Sequence, residues 1–418
     1  MHKTIEKCRV CGNNNLTPVI NLGTQYMDGV FPSRPGQQLD SLPLEVVKCH
    51  NGGTDSCCGL LQLKHQHLFN RQYWENYGYR SGLNQSMVAS LGAIVNKIES
   101  YGILKEGDTV LDIGSNDGTL LKHYRQEPYR LVGMDPGGKF LLKYYPPGIS
   151  LIPESFSSGL YLHDAGGKKA KVVTSIAVLY DMDDPLEFMR QVHEILDDGG
   201  LWVFEQGYMP SMIEGNAYDA ICHEHLSYFG LAQIEWMAKR TGFKIIDVEF
   251  NAVNGGSFLV VAAKSGAPFK ENASLREATI MGEKQKYLAS LSPYEKFSKQ
   301  VFGHRQELLQ LINSIKAAGK TIIGYGASTK GNVLLQFCGL TANEIPYIAE
   351  INESKIGRYT PYTDIPIISE QAARAMKPDY MLVLPWHFRE FFIKKEKAYL
   401  ANGGRIIFPL PAVEVIEA

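Results

Sequence analysis

The chain has 418 residues, of which 44% are hydrophobic, 21% charged and 11% aromatic, and a formal net charge of −2. That length predicts two or three domains at roughly 100–200 residues each, and the near-neutral charge gives no electrostatic basis for binding nucleic acid or an anionic membrane surface. No apolar run approaches the roughly 18–20 residues of a membrane span, and the first residues lack the apolar stretch of a secretory signal, so a cytoplasmic location is expected.

Five of the seven cysteines fall within the first 58 residues. A reducing compartment keeps thiols free, so this clustering points to metal rather than to disulfides. Cys8-Arg-Val-Cys11-Gly12 is one half of a zinc knuckle, with a tight turn aiming two thiolates at one point. Cys49 with Cys57 or Cys58 is the other half. Cys58 precedes Gly59 as Cys11 precedes Gly12, so Cys8, Cys11, Cys49 and Cys58 are the expected ligands, with Cys57 as the alternative fourth. Four thiolates close the coordination sphere, which makes the zinc structural. Leu22–Asp28 and Val30–Pro32 read as short β-rich pieces over the metal. Aromatic residues then cluster from Leu68 to Tyr79, and Tyr79-Arg80-Ser81-Gly82 is placed to line a cleft.

From Asn84 to Tyr101, Met87, Leu91, Ile94, Val95 and Ile98 recur at helical spacing. Thr109–Ile113 reads as an apolar strand, followed by a Gly-rich turn through Gly114, Asp117 and Gly118 and the start of a helix. Such a turn at the carboxyl end of a first strand is where open α/β sheets bind cofactors. Asp112 and Asp117 repel phosphate and suit a ligand with an ammonium group and hydroxyls. The next strand, Arg130–Met134, ends in Asp135, placed for ribose hydroxyls. Further strands are expected at Val172–Ile176 and Leu201–Phe204, around a helix that starts at Pro185 and stops at Asp197–Gly200. Then comes a dense ionisable stretch, Cys222-His223-Glu224-His225-Leu226-Ser227-Tyr228-Phe229. A helix from Leu231 to Thr241 and strands at Phe243–Phe250 and Ser257–Ala263 complete this sheet, with Asn254–Ser257 read first as a hairpin turn and, as the alternative, as a contact to substrate.

A long helical region, interrupted near Ser292–Pro293, leads to Thr321–Asn332, which repeats the pattern of strand, Gly-rich turn and helix. This second turn carries hydroxyls and a lysine ahead of a helix N-terminus, so an anion such as a pyrophosphate fits it. Strands at Ile345–Ala349, Tyr380–Leu384 and Arg405–Phe408 close a second sheet. Tyr325, Ser328, Thr329, Lys330, Asn332, Glu350 and Arg358 are the candidate contacts to a phosphate, ribose or base.

Val110–Gly118, Asp135 and the helix ending at Asp197–Gly200 together resemble class I S-adenosylmethionine-dependent methyltransferases. The Cys-x-x-Cys-Gly knuckle, Tyr79–Gly82, the His-Glu-His stretch and Gly324–Asn332 extend the resemblance, in the same order, to sugar C-methyltransferases of the C-3′ type. The fold implied is α/β in three parts: a zinc-binding module over 1–75, a Rossmann-like methyltransferase domain over 76–265, and a C-terminal α/β sugar-nucleotide domain over 266–418. The resemblance implies S-adenosylmethionine held by Asp112, Gly114, Asn116, Asp117, Asp135, Pro136, Ser81 and Met87. Its acceptor would be a 4-keto-6-deoxyhexose on dTDP or GDP, and a monomer is expected. Carbon methylation next to a ketone needs a base to form the enolate, and the resemblance places it in the His-Glu-His stretch, at His225. Glu224 is expected to hold a hydroxyl or set a histidine tautomer, and His223 or Tyr79 to polarise the C-4′ ketone. Better-known members of the family carry a tyrosine where this chain has Cys222, which leaves that role to Tyr228, to Tyr79 or to a different sugar configuration. A metal bound by the His-Glu-His stretch, an O- or N-methyltransferase and a non-catalytic zinc scaffold are the competing readings.

Overall fold

The structure, a computed structural model, describes residues 2–50, 57–67, 78–124 and 128–417. The aromatic run at 68–77 lies outside them. No described helix is long and apolar enough to cross a membrane.

The amino-terminal module is an antiparallel sheet of Leu16–Tyr26, Ser41–Cys49 and Leu61–Leu63. Its fourth strand is Ser227–Tyr228, contributed by the His-Glu-His region. The expected β-rich pieces are therefore longer than their local sequence suggested, and they recruit a strand from 160 residues away.

Seven strands form the central sheet, in the order Phe243–Asn251, Ser257–Lys264, Leu196–Gly207, Ala170–Ile176, Thr109–Ile113, Arg130–Met134, Ile149–Ile152. Its first five strands in sequence run parallel, and Ser257–Lys264 is antiparallel to both its neighbours. Strands buried on both faces explain runs such as Thr109–Ile113, where every residue is buried. The expected helix from Asn84 forms as Gln85–Ser100. The Asn84 side chain accepts from the Ser86 amide, and Met87, Leu91, Ile94, Val95 and Ile98 face the core. Asp184 caps Pro185–Ile195 in the same way.

Two expectations change here. After Gly118 the chain makes only a 3-10 turn, Leu121–His123, in place of the expected helix. The Leu196–Gly207 strand begins before the Asp197–Gly200 turn rather than after it. The Asp197 carboxylate accepts from the Gly199 amide and from Lys171, which lets the strand absorb the irregularity as a register shift.

The C-terminal sheet has the order Ile367–Ser369, Ile348–Glu350, Ile322–Tyr325, Tyr380–Val383, Arg405–Phe408, Glu414–Ile416. The long helix Ser292–Ala317 packs beside it. One hydrophobic core joins this sheet to Leu44, Val46 and Leu61 of the amino-terminal module and to Met209–Tyr228. The His-Glu-His segment is thus packed among all three parts of the molecule.

Candidate functional site

Four sulfurs meet in the amino-terminal module. The Sγ atoms of Cys8, Cys11, Cys49 and Cys58 all lie within 4.8 Å of one another. Zinc–sulfur bonds of about 2.3 Å in a tetrahedron put sulfurs roughly 3.8 Å apart, and the Cys8–Cys58 and Cys11–Cys49 separations are 3.5 and 3.4 Å. The donor set fits a structural zinc ion. Cys57 Sγ lies 3.3 Å from Cys49 Sγ and faces the Cys49 carbonyl and the Asn13 amide, but the cluster in which four sulfurs all approach one another contains Cys58 and not Cys57.

The central sheet opens at its carboxyl edge into a cavity of about 530 Å³, well within the range of cofactor and substrate sites. One end is acidic. Asp112 ends its strand buried, accepts from Thr174 Oγ1 at 2.7 Å, and burial pushes its carboxyl up to about 7. Gly114 follows at φ +74°, where a Cβ would stand 2.5 Å from Val178 Cγ2. Only glycine lets the backbone pass there and leaves room beside it. Asp135 is buried and accepts from the Asn116, Gly137 and Gly138 amides. Burial raises its carboxyl, and these amides draw it back down. Ser81, Met87, Asn116 and Pro136 line the same end, and Tyr79 stands at its rim, 44% exposed.

His225 lines the same cavity. Its Nδ1 donates to the Ala220 carbonyl at 2.8 Å. A carbonyl only accepts, so Nε2 carries the ring's lone pair. Tyr180 packs against the ring at a centroid distance of 4.3 Å. Burial, then the field of Lys330, lowers the imidazole to about 4, so it is neutral at physiological pH. Glu224 lines the cavity beside it. Asp181 faces Glu224, and its carboxyl is driven well above the usual range by burial and then by the Glu224 charge.

The part of the wall supplied by the C-terminal domain is cationic. Ser328 caps the helix Thr329–Cys338 by accepting from the Gly331 amide, and Ser328, Thr329 and Lys330 all line the cavity. Lys330 Nζ donates to the Asn254 carbonyl at 2.7 Å.

Six candidate residues lie off the cavity walls, each held by a packing role. His223 pairs with Asp28 inside the molecule. Asp117 accepts from Thr119 and from the Gly82 amide, fixing the loop rather than facing the ligand space. Tyr325 donates to Glu370 and Glu396. Asn332 donates to the Asp28 carbonyl. Glu350 is consumed by the Ala327, Ile351 and Asn352 amides. Arg358 donates to the Phe31 carbonyl of the amino-terminal module. In each case a polar side chain near a turn found a partner within the protein, which is the commoner fate of such a residue.

Other residues complete the walls. Asn254, Gly255, Gly256 and Ser257, a turn with a possible substrate contact in its sequence, line the cavity. His387 lines it too, its imidazole held well below the usual range by burial and then by Lys330. Phe156, Asp181 and Gln206 also line it and carried no motif that would have marked them.

Comparisons with known proteins follow the same three-part division. A zinc-binding domain family matches residues 8–73, a methyltransferase domain family residues 80–248, and a C-methyltransferase C-terminal domain family residues 252–411. The C-methyltransferase NovU of Streptomyces niveus is 31% identical over 423 residues, covering 100% of this chain and 98% of that protein. Among solved structures, magnesium protoporphyrin IX methyltransferase from Synechocystis PCC 6803 with bound SAM has a TM-score of 0.33 and 15% identity, over 43% of this chain and 79% of its own. The plantazolicin methyltransferase BpumL, in complex with a desmethyl analogue and SAH, has a TM-score of 0.33 and 12% identity, over 42% and 83%.

Proposed function

The chain belongs to the S-adenosylmethionine-dependent C-methyltransferase family, and on that premise we propose that it methylates C-3′ of a nucleotide-linked 4-keto-6-deoxyhexose. The observation that carries this reading is the position of His225. A neutral imidazole with its lone pair on Nε2 lines the same cavity as Asp112 and Asp135, suited to a cationic cofactor, and as Lys330, whose field reaches the ring and which suits a diphosphate.

Bound S-adenosylmethionine supplies an electrophilic methyl group. Asp112 would hold its ammonium end, Asp135 and Asn116 its ribose, and Gly114 the close approach of its chain. The carboxylates fit that cation, and the glycine cradle leaves it room. At the other end Lys330, with Ser328 and Thr329, takes the diphosphate of dTDP or GDP. His225 Nε2 removes the C-3′ proton, made acidic by the neighbouring ketone. The negative charge moves to the ketone oxygen as an enolate, and C-3′ would take the methyl on the face opposite the base, the S–CH3 bond breaking and S-adenosylhomocysteine leaving. Glu224 and Tyr79 border the sugar, placed to bind its oxygens. Lys330 serves His225 as well: its charge keeps the base unprotonated.

The test is incubation with S-adenosylmethionine and a panel of 4-keto-6-deoxy sugar nucleotides, following the mass gain of one methyl. In parallel, exchange of the C-3′ hydrogen into D2O reports the base alone. An O- or N-methyltransferase has no reason to catalyse that exchange. Full exchange by a His225→Asn variant refutes the base assignment.

A further inference from the structure

His223 and His225 are two residues apart and serve opposite sides of one loop. His225 faces the cavity, whereas His223 turns into the molecule, where it is 2% exposed beside a fully buried Asp28. Asp28 Oδ2 accepts from His223 Nδ1 at 2.5 Å and from the His223 backbone amide at 3.3 Å. The Nε2 of His223 donates to the Leu42 carbonyl at 3.4 Å. Both ring nitrogens therefore act as donors, which is the pattern of an imidazolium. Burial opposes that charge, and the Asp28 carboxylate overcomes it, so the imidazole is raised above its ordinary value.

The same Asp28 reaches the other end of the active cavity. Its Oδ1 accepts from Gln336 Nε2 at 3.1 Å, and its backbone carbonyl accepts from Asn332 Nδ2 at 2.7 Å. Gln336 also bonds both the amide and the carbonyl of Tyr26. Asn332 and Gln336 lie on the helix Thr329–Cys338, whose first turn carries Lys330. One aspartate thus fixes the loop of the base and the helix of the cation.

The far end of the loop is held by the same module. Leu63 donates its amide to the Leu226 carbonyl, and Ser227 and Tyr228 pair with Gln62 and Leu61. That strand begins three residues after Cys58, and Gln233, just beyond the loop, donates to the Cys58 and Gly59 carbonyls. The loop is clamped before and after His225 by elements built on the zinc-binding module.

We propose that Asp28, acting through His223 and the Asn332–Gln336 helix face, is the positioning residue that aligns His225 with Lys330, so that the zinc module sets the geometry of proton removal. It rests on the reading of His225 as the base. The module is then part of the catalytic apparatus, although none of its described residues between 2 and 67 lines the cavity. Three held points on one side leave the loop no rigid-body freedom relative to the helix. Misplacing a reacting group by about 1 Å costs on the order of a hundredfold in rate, without any loss of binding at a separate end of the site.

The test uses the full chain loaded with zinc. Asp28→Asn is expected to keep its zinc content and to bind S-adenosylmethionine within about twofold of wild type, because the Asp112 end shares no contact with the clamp. Exchange of the sugar's C-3′ hydrogen is expected to fall about a hundredfold, with KM for the sugar nucleotide little changed. Deuterium uptake at the amides of 220–228 should rise. Pairing the change with His223→Asn, which permits an amide–amide bond without a buried charge, should recover about tenfold of the lost exchange. Wild-type exchange by Asp28→Asn overturns the proposal. So does a loss of exchange matched by equal losses of cofactor binding and zinc, which marks a role in general stability. If Asp28→Asn does not fold, the wild type decides: zinc chelation should raise deuterium uptake at 220–228 before uptake rises at 109–118, and simultaneous opening of both refutes the clamp. If His225→Asn keeps exchange, the functional reading fails, while the deuterium uptake of Asp28→Asn still tests the clamp.

Discussion

The low proton affinity of His225 makes a quantitative prediction about the acid limb of proton exchange. An ordinary histidine base, with a pKa of about 6.5, would retain only about one twenty-fifth of its pH 7 activity at pH 5. With the imidazole held at about 4, about nine-tenths remains at pH 5 by the same titration arithmetic. A sugar diphosphate carries the same charge over that range, so the limb belongs to the enzyme. The assay is kcat/KM for C-3′ hydrogen exchange in D2O between pH 4.5 and 8, because that ratio reports the free enzyme. Stability provides an independent check. The folded pKa lies below the unfolded value, so protonation favours the unfolded chain. The neutral ring costs nothing above about pH 7, and the penalty grows as pH falls through 6.5 towards 4. At pH 5 it reaches about 2 kcal/mol relative to pH 7. His225→Asn removes that penalty, so wild type and variant should diverge by about this amount between pH 7 and pH 5 in denaturant titrations. Exchange half-lost near pH 6.5, with parallel stability curves for the two proteins, would refute the account of a buried base under the field of Lys330.

Lys330→Ala should move the same acid limb to higher pH by removing that field, and should raise KM for the sugar nucleotide while leaving cofactor affinity unchanged; both are read from pH-dependent kinetics and calorimetry. Asp112 is held at about 7 by burial, so binding a cationic amino-acid end should expel its proton. Calorimetry at pH 6.5 in two buffers of different ionisation enthalpy should detect that release, and the apparent affinity for S-adenosylmethionine should weaken by up to about tenfold per pH unit below 7. Asp112→Asn should abolish the release. Cys58→Ser should lose the zinc ion and several kcal/mol of stability (roughly; structural zinc binding is folding free energy), whereas Cys57→Ser should keep a full equivalent of zinc, as measured by metal analysis of the purified protein.

Sequence alone determined the features that depend on spacing along the chain. The Cys-x-x-Cys-Gly turn, the Asp112–Gly118 loop and the Ser328–Lys330 helix start are each complete within a dozen residues, because a turn or a cap is closed by its immediate neighbours. Strand-and-helix alternation followed from periodicity for the same reason, and with it the two sheets and the zinc module. The choice of Cys58 over Cys57 rested on a local likeness of Cys-Gly turns, and the sulfur cluster has that composition.

Tertiary structure decided which polar residues face ligand and which face protein. Nothing in Cys222–Phe229 says that His225 looks into the cavity and His223 looks away. That division is made by Asp28, 195 residues earlier in the chain, which offers a buried carboxylate to one ring and none to the other. Asn332 and Glu350 read as ligand contacts because they follow a Gly-rich turn and a strand end. They bond backbone groups instead, because burial leaves a polar atom no water and the nearest amide or carbonyl takes it. Asn254 and His387 enter the cavity wall only because the turn at Val253–Gly255 and the turn at Trp386–Phe388, remote in sequence, are brought together. Burial, and the fields it strengthens, are properties of the assembled chain, and they set the proton affinities of Asp112 and His225 on which the proposed chemistry depends.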